Sequence, residues 1–238
     1  MTDVAEIWSY LSARPLLWLT CTVVAYVLAD GISARLNRHP LANPVLISVL
    51  LIAPLLSISQ TPYATYFDGA QFIHFLLGPA TVALAVPLHA NLATIRRSAL
   101  PLLAALFAGS LAAAGSAILI AMAFGLPEQV IVSVSPKSTT APVALGISEA
   151  LGGSPTLTAV LVILTGIVGA VVVTPLMNLL RINDWRARGF AVGVAAHGIG
   201  TARAFQVNET AGAFAGIGLA LNAVLTSILA PILVALLL

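Results

Sequence analysis

Charged side chains are scarce in this sequence. Lysine, arginine, aspartate and glutamate together make up 8% of the 238 residues, whereas soluble domains carry about a quarter. Hydrophobic residues make up 60%, and the mean hydropathy is +1.06. Long apolar runs of this kind indicate helices that cross a membrane. The composition therefore predicts an all-α polytopic membrane protein embedded in a lipid bilayer.

Motifs for catalysis and for metal binding are also missing. Cys21 is the single cysteine, which excludes an internal disulfide and a cysteine-based metal site. The histidines and acids show no metal-ligand spacing, and no catalytic triad order, paired acids, glycine-rich phosphate loop or basic tract occurs. We therefore expect a protein that is not an enzyme and that binds no metal, cofactor or nucleic acid. The first fifteen residues lack a basic n-region and a cleavage site, so we expect no cleaved signal peptide.

Several apolar runs approach or exceed the roughly 20 residues that a spanning helix needs. They predict about seven spanning helices, near 15–34, 44–58, 71–93, 98–124, 155–182, 189–206 and 211–238. Seven of the ten basic residues fall in three short loops, at 35–38, 96–97 and 181–188. The positive-inside rule places these loops in the cytoplasm and the N-terminus outside. The run 189–206 is short, and its path stays open.

The segment 131–150 is apolar but interrupted by Pro136 and Pro142. Proline removes a backbone donor and breaks a helix. The charge pattern puts both ends of the segment outside, because the helix before it leaves the cytoplasm and the helix after it returns there. We therefore predict a re-entrant hairpin, or a broken helix that folds back.

A weak internal repeat is also present. Residues 44–53 match 155–164 at five of ten positions, and the two runs enter the membrane from opposite sides. Such a pattern is typical of the inverted repeats of secondary transporters. We predict one integral membrane domain over 1–238, with inverted repeats at 44–124 and 155–238.

The interrupted segment carries the single lysine of the chain among hydroxyl residues. A cation at membrane depth is costly unless it faces a wet cavity or a counter-charge. Exposed amides at a helix break, hydroxyls and one cation together predict a binding site for a small anion. The alternative is a membrane-edge loop whose lysine extends to water. The candidate residues are Ser135, Lys137, Ser138, Thr139 and Thr140.

A second candidate segment, 195–203, places two glycines beside a histidine. The glycines would let backbone approach a ligand, and His197 could carry a coupling proton because imidazole titrates near neutral pH. In the alternative, the glycines are close-packing contacts between helices and His197 is a neutral, hydrogen-bonded residue. The candidate residues are His197, Gly198, Gly200, Thr201 and Arg203.

A third segment, 77–87, contains Pro79 and Pro87 eight residues apart. The two prolines predict either a broken helix at a binding site or a simply kinked spanning helix. Gly78 and Thr81 are the candidate binding residues of this segment.

Four sequence blocks together resemble the LrgB/CidB family of bacterial membrane proteins, whose relatives include the plastid glycolate/glycerate translocator of plants. The blocks are SPKSTTAP at 135–142 with the ALGISEALGG stretch that follows it, HGIGTARAF at 197–205, GPATVALAVPL at 78–88 and NPVLIS at 43–48. The last block adds Asn43 to the candidate binding residues. One departure is Ala141, where the family usually has a second threonine before the proline. One possible hydroxyl contact is therefore missing, and the exact substrate stays open.

The resemblance implies two alternative functions. One is secondary transport of small organic anions, carboxylates such as glycolate, glycerate or pyruvate, across a bacterial cell (inner) membrane. The alternative is an antiholin- or holin-like regulator of murein hydrolase export and cell lysis. The family also implies a small LrgA-type membrane partner, and we expect a homo-oligomer, most simply a dimer.

Overall fold

The computed structural model describes residues 15–83, 86, 89 and 92–238, without the side chains of 74, 77, 80, 81, 94 and 95. The described residues form helices and connecting turns, and no strand occurs among them. This confirms the predicted all-α fold. Contacts divide the chain into two compact units, Met1–Ala80 and Thr81–Leu238. The single domain and the inverted repeats stay predictions.

The described part of the first unit is built from helices with short connections. The helices are α1 (Pro15–Arg35), a 3-10 turn (Pro40–Ala42), α2 (Pro44–Ile58), α3 (Tyr63–Phe75) and α4 (Leu77–Ala83), which runs on into the second unit. The start of α2 is fixed by its own sequence. Asn43 Oδ1 accepts hydrogen bonds from the Val45 and Leu46 amides at 2.9 and 3.2 Å, and Pro44 has no amide hydrogen to satisfy at the first helical position.

Within this unit, α3 packs closely against α1. Trp18 is fully buried and meets the Tyr66 ring edge-on, with ring centroids 5.9 Å apart. The Thr22 hydroxyl lies 3.1 Å from the Tyr66 hydroxyl. Asp30, near the end of α1, pairs with Arg38 in the following turn. The Asp30 charge in the first helix is thus neutralised by a neighbour eight residues later in the chain.

The second unit holds the longer helices. They are α5 (Leu92–Arg97), α6 (Ala99–Ala123), α7 (Glu128–Val134), α8 (Ala141–Ala150), α9 (Pro155–Leu179), α10 (Trp185–Val207) and α11 (Glu209–Leu237). By length and composition, α1, α6, α9 and α11 can each cross a membrane. This confirms a polytopic membrane protein. The number of crossings, predicted as about seven, stays a prediction.

Helices α7 and α8 with their connection, residues 128–150, form a hairpin that we call the first hairpin. Its two legs share a partner on α9. Thr158 Oγ1 lies 2.7 Å from Ser148 Oγ on the second leg and 3.0 Å from the Ser133 carbonyl oxygen on the first. The Ser133 hydroxyl also accepts a hydrogen bond from the Ser154 amide at 2.8 Å. The legs therefore lie side by side, which is the folded-back form of the broken segment expected from the sequence.

Helix α10 is also a hairpin, which we call the second hairpin. Its helical backbone is interrupted at Ala196 (φ −130°, ψ 17°) and at His197 (φ 42°, ψ −137°). A Cβ added to Gly200 would lie 2.8 Å from Val192 Cγ2, although eight residues of continuous helix would separate the two by about 12 Å. The chain thus reverses at His197. The run 189–206, grouped by length with the spanning runs, folds back instead of extending as one helix.

The packing of α11 gives the same result independently. A Cβ on Gly189 would overlap the carbonyl of Ala211, and a Cβ on Gly193 would overlap the carbonyl of Ala215. Both partners advance by four residues in the same direction, so the first leg of α10 runs parallel to α11. Two consecutive helices joined by the short turn at Asn208 would be antiparallel without a reversal inside α10. The small residues let the backbones approach closely, as is common between membrane helices.

Candidate functional site

The Asn222 side chain, halfway along α11, connects the inner ends of both hairpins. It is 1% exposed. Its Nδ2 donates to the Ser138 carbonyl at 3.2 Å in the first hairpin and to the Val194 carbonyl at 3.1 Å in the second. Its Oδ1 accepts from Ser110 Oγ at 2.6 Å and from Thr226 Oγ1 at 3.1 Å. The amide therefore uses both hydrogens and accepts twice.

Residues 135–140 connect the legs of the first hairpin, and we call them the first tip. Three of their hydroxyls differ in how they are satisfied. Ser135 Oγ donates to the Val132 carbonyl at 2.9 Å, and Ser138 Oγ accepts from Lys137 Nζ at 3.2 Å. The Thr139 side chain is fully buried, and its Oγ1 has no hydrogen-bond partner among the described residues. A buried hydroxyl without a partner costs about 1–3 kcal/mol, so its presence needs a reason.

Lys137 is half-buried at the first tip. Within the described part of the chain, the ion pairs are Arg38–Asp30 and Arg186–Asp184, so Lys137 has no carboxylate partner there. Glu149, the acid near the end of α8, is exposed. The lysine charge thus has one neutral hydroxyl partner, and an anion would satisfy it better.

The amino end of α8 opens at the same tip. Thr140 is its N-cap residue in extended backbone (φ −64°, ψ 144°), and its side chain makes no capping hydrogen bond. The first-turn amides of a helix carry partial positive charge and bind anions well. The first tip therefore holds, within six residues, a cation, a hydroxyl without a hydrogen-bond partner among the described residues and a helix start without a side-chain cap.

His197 forms the tip of the second hairpin. It is 4% exposed, and its Nε2 lies 2.8 Å from the Val162 carbonyl oxygen of α9. Because a carbonyl only accepts, Nε2 carries a hydrogen and Nδ1 is the nitrogen left to gain one. The two tips lie close together, because the Asn222 amide donates both to Ser138, next to Lys137, and to Val194, three residues before His197. The Thr201 hydroxyl donates to the His197 carbonyl at 2.8 Å, so this hydroxyl is used within the second leg of the hairpin.

The two glycines of this segment have different surroundings. Gly198 is exposed, and nothing lies within 4 Å of an added Cβ. Gly200 is buried between Val192 and Ala196 of the opposite leg. The close-packing interpretation therefore describes Gly200, whereas Gly198 presents backbone to open space next to the tip.

Arg203 lies away from the first tip, near the base of the second hairpin. It is 9% exposed, and its Nη1 lies 3.5 Å from Gln206 Oε1. It lines one cavity with Arg188, Trp185 and Thr174, and no residue of the first tip lines that cavity. Arg188 donates to the Ile182 carbonyl and to Asn178 Oδ1 at the end of α9. The structure thus does not bring Arg203 together with Lys137.

The remaining candidate residues belong to other parts of the fold. Asn43 is buried and is occupied as the N-cap of α2. Gly78 is exposed on α4, and the side chain of Thr81 lies outside the described residues. A binding role for these three stays a prediction.

A cavity of about 490 Å³ lies between α6 and the first leg of α10. Ser98, Asp184 and Arg186 line it at the loop end, and Gly109, Val194 and Ala195 line it further along the helices. At the loop end, the Arg186 side chain donates to Asp184 and, with the backbone amide of Arg186, lowers the pKa of that carboxyl to about 2. Val194 also gives its carbonyl to Asn222, so the cavity leads from the loops toward the hairpin tips.

Comparison with known proteins agrees with this architecture of a membrane protein. The sequence profile of the LrgB-like family matches residues 22–236. The chain belongs to the LrgB-like family. This confirms the resemblance found in the sequence blocks.

Three relatives cover most of this LrgB-like chain and most of their own lengths. The holin-like protein CidB of Staphylococcus aureus (strain Mu50) is 34% identical over 221 residues, which is 93% of this chain and 96% of CidB. Two proteins of Bacillus subtilis (strain 168) are described as uncharacterized. YwbG is 34% identical over 215 residues (90% of this chain, 95% of YwbG), and YxaC is 35% identical over 213 residues (90% and 92%). No solved structure shows a significant match.

Proposed function

We propose that this LrgB-like protein is a secondary transporter of small organic anions, and that the first tip binds them. One observation carries the proposal. One short connection between two helices holds an uncapped helix start, together with a lysine that has no carboxylate partner and a fully buried hydroxyl that has no hydrogen-bond partner among the residues that the structure describes. Each of these groups is costly in an apolar protein on its own. A single bound carboxylate would satisfy all of them.

The chemistry of the tip fits a small carboxylate of the glycolate, glycerate or pyruvate class. The Lys137 ammonium group and the first-turn amides of α8 would bind the carboxylate oxygens. The Thr139 hydroxyl can donate or accept, so it would bind a hydroxyl or keto oxygen on the adjacent carbon. Ser138 orients the ammonium group through its 3.2 Å contact.

The surrounding fold suits transport. Broken helices that meet at a central site are the usual binding architecture of secondary transporters. Here the two hairpins meet at Asn222, and the cavity beside α6 leads toward them from the loop end. In the transport cycle, the anion would enter by such a cavity, bind at the first tip and leave on the other side after the hairpins move.

A proton would enter with the anion at His197. The Nδ1 atom of His197 is available for a proton while Nε2 holds the Val162 carbonyl. A protonated imidazole would be repelled by Lys137 unless a carboxylate lies between the charges. Proton and anion binding would therefore support each other, which is thermodynamic linkage. In the alternative, His197 serves only to pack the second hairpin against α9.

A second candidate is a holin-like regulator of murein hydrolase export and cell lysis, acting with a small LrgA-type partner or as a homo-oligomer. Its support is the relative CidB, a holin-like protein that is 34% identical over nearly its whole length. The name of CidB favours this function more directly than transport, for which the support is the geometry of the tip. Such a protein would give a wet, weakly selective path without saturable binding.

Uptake into liposomes separates the two candidates. Purified protein should take up labelled glycolate, glycerate or pyruvate with saturation, and unlabelled carboxylate should compete. Lys137→Ala should reduce uptake at least tenfold while the protein still assembles, and Lys137→Arg, the matched control, should retain part of it because the charge remains. Leakage of an uncharged dye without saturable uptake would support the holin-like function, and full uptake by folded Lys137→Ala would remove the first tip from the mechanism.

A further inference from the structure

The Asn222 amide is placed to transmit movement between the two hairpins. Its two hydrogens go to different hairpins, one to Ser138 and one to Val194. Its oxygen is held by Ser110 of α6 and Thr226 of α11. The amide group is planar and rigid. If one of the two accepting carbonyls shifts, the amide must move with it, and its hydrogen bond to the other carbonyl changes in length and angle.

The position of Asn222 is consistent with such a role. The side chain is 1% exposed, and the neighbouring residues of Asn222 along α11 are apolar. If it served α11 alone, the contact with Thr226 one turn later would suffice. Instead, three of its four bonds cross to other segments, at sequence separations of 28, 84 and 112 residues. A buried polar network of this kind fixes one arrangement strongly, because a lost bond leaves a group without a partner.

We propose that Asn222 is a positioning residue that couples the first tip to the second hairpin, so that the two open and close together. The coupling rests on the proposed function in one respect: the anion is the ligand whose binding it would transmit. When the anion draws Lys137 and Thr139 inward, the Ser138 carbonyl moves with them. The Asn222 amide then carries that displacement to Val194, three residues before His197.

The test uses two cysteine reporters in the full-length protein with Cys21→Ala. Ala141→Cys reports on the first tip, because Ala141 is partly exposed at the start of α8. Gly198→Cys reports on the second, because Gly198 is exposed and an added side chain meets nothing within 4 Å. The rate of reaction with a small thiol reagent is measured at each reporter, in folded protein, with and without saturating glycolate.

Asn222→Asp keeps the shape and an acceptor oxygen, and it loses at least one of the two donated hydrogen bonds, because a protonated carboxyl has one donor and an ionised carboxyl has none. We expect it to raise the reaction rate at both reporters at least threefold without glycolate. Ser110→Ala is the matched control, because it removes a bond to the oxygen and leaves both donated bonds, and it should stay within twofold. In the parent protein, glycolate should slow both reporters; in Asn222→Asp it should slow the first reporter only.

The outcomes are distinguishable. Unchanged rates in folded Asn222→Asp, a change at one reporter alone, or an equal rise in Ser110→Ala would each overturn the coupling. If glycolate slows neither reporter in the parent protein, the anion site is wrong, and the rates without glycolate still decide the coupling. If Asn222→Asp does not assemble, Asn222→Ser, which is smaller and has only one donor, replaces it under the same criteria.

Discussion

Thr139 and Asn222 are both buried polar residues, but their hydrogen bonding is opposite. Asn222 uses all its capacity within the protein, whereas Thr139 Oγ1 uses none among the described residues. Satisfied groups hold a fold together, and unsatisfied ones are the groups that a ligand can recruit. This contrast separates the residue that organises the site from the residues that would bind the anion.

The sequence predicted one of these residues and not the other. Thr139 stands in a run of hydroxyls around a lysine and two prolines, so its neighbours indicated a site. Asn222 is a lone amide in an apolar helix, and three of its four partners lie 28 to 112 residues away. No local pattern reports such distances. The sequence did offer one indication. Asn222 is an amide in the middle of an otherwise apolar spanning helix, and such an amide needs hydrogen-bond partners on other helices.

His197 is a strained residue held in place by a hydrogen bond. Its φ of 42° and ψ of −137° suit glycine, and other residues pay about 1–3 kcal/mol there. The contact between Nε2 and the Val162 carbonyl offsets part of this cost. A glycine would form the same turn without strain. The turn therefore does not explain why a histidine occupies this position, and a role of the imidazole itself would explain it.

If His197 takes up a proton together with the anion, as proposed, uptake should depend on pH. Uptake by the wild-type protein should increase as the pH falls, because a proton accompanies the carboxylate. His197→Gln can still donate to Val162 but cannot titrate, so its profile should be flat and its maximal rate at least threefold lower. Uptake is measured across pH with the membrane potential clamped. Superimposed profiles would make His197 a packing residue.

At the level of elements, one of the two hairpins could be predicted from the sequence and the other could not. The first was predicted because two prolines and a charge count forced both of its ends to one side. In the second, the weakened helix at 195–203 was recognised, but its reversal was not, because no proline marks it. The turn depends on an unusual φ at a histidine and on contact between Val192 and Gly200 across the legs. Such a contact exists only in three dimensions.

Glycine substitutions in the second hairpin test this packing. Gly193→Ala should destabilise the protein by about 1–3 kcal/mol, because the new Cβ would overlap the backbone of Ala215, which cannot rotate away. Gly198→Ala should be neutral or slightly stabilising, because its Cβ meets open space and alanine favours a helix. Thermal unfolding in one detergent measures both. Equal effects would show that α10 and α11 do not pack this closely.

For the whole molecule, the hairpins determine which loops share a side of the membrane. Arg186 and Glu209, before and after the second hairpin, should lie on one side, and Leu238 on the other. Gln129 and Gly152, which flank the first hairpin, should also share a side. Single cysteines at these five positions, in a Cys21→Ala background, are treated with an impermeant reagent added outside. If Arg186 and Glu209 label from opposite sides, α10 spans the membrane and the reversal at His197 is wrong.

The second hairpin also lowers the expected number of membrane crossings by one. A spanning segment at 189–206 would add one crossing, whereas a hairpin adds none, so every residue after it lies on the opposite face from that expectation. If the basic loops are cytoplasmic, as the charge pattern predicts, α11 would run outward and Leu238, just after its end, would lie outside. A phosphatase fused there would be exported and active, and a fluorescent protein that matures only in the cytoplasm would stay dark.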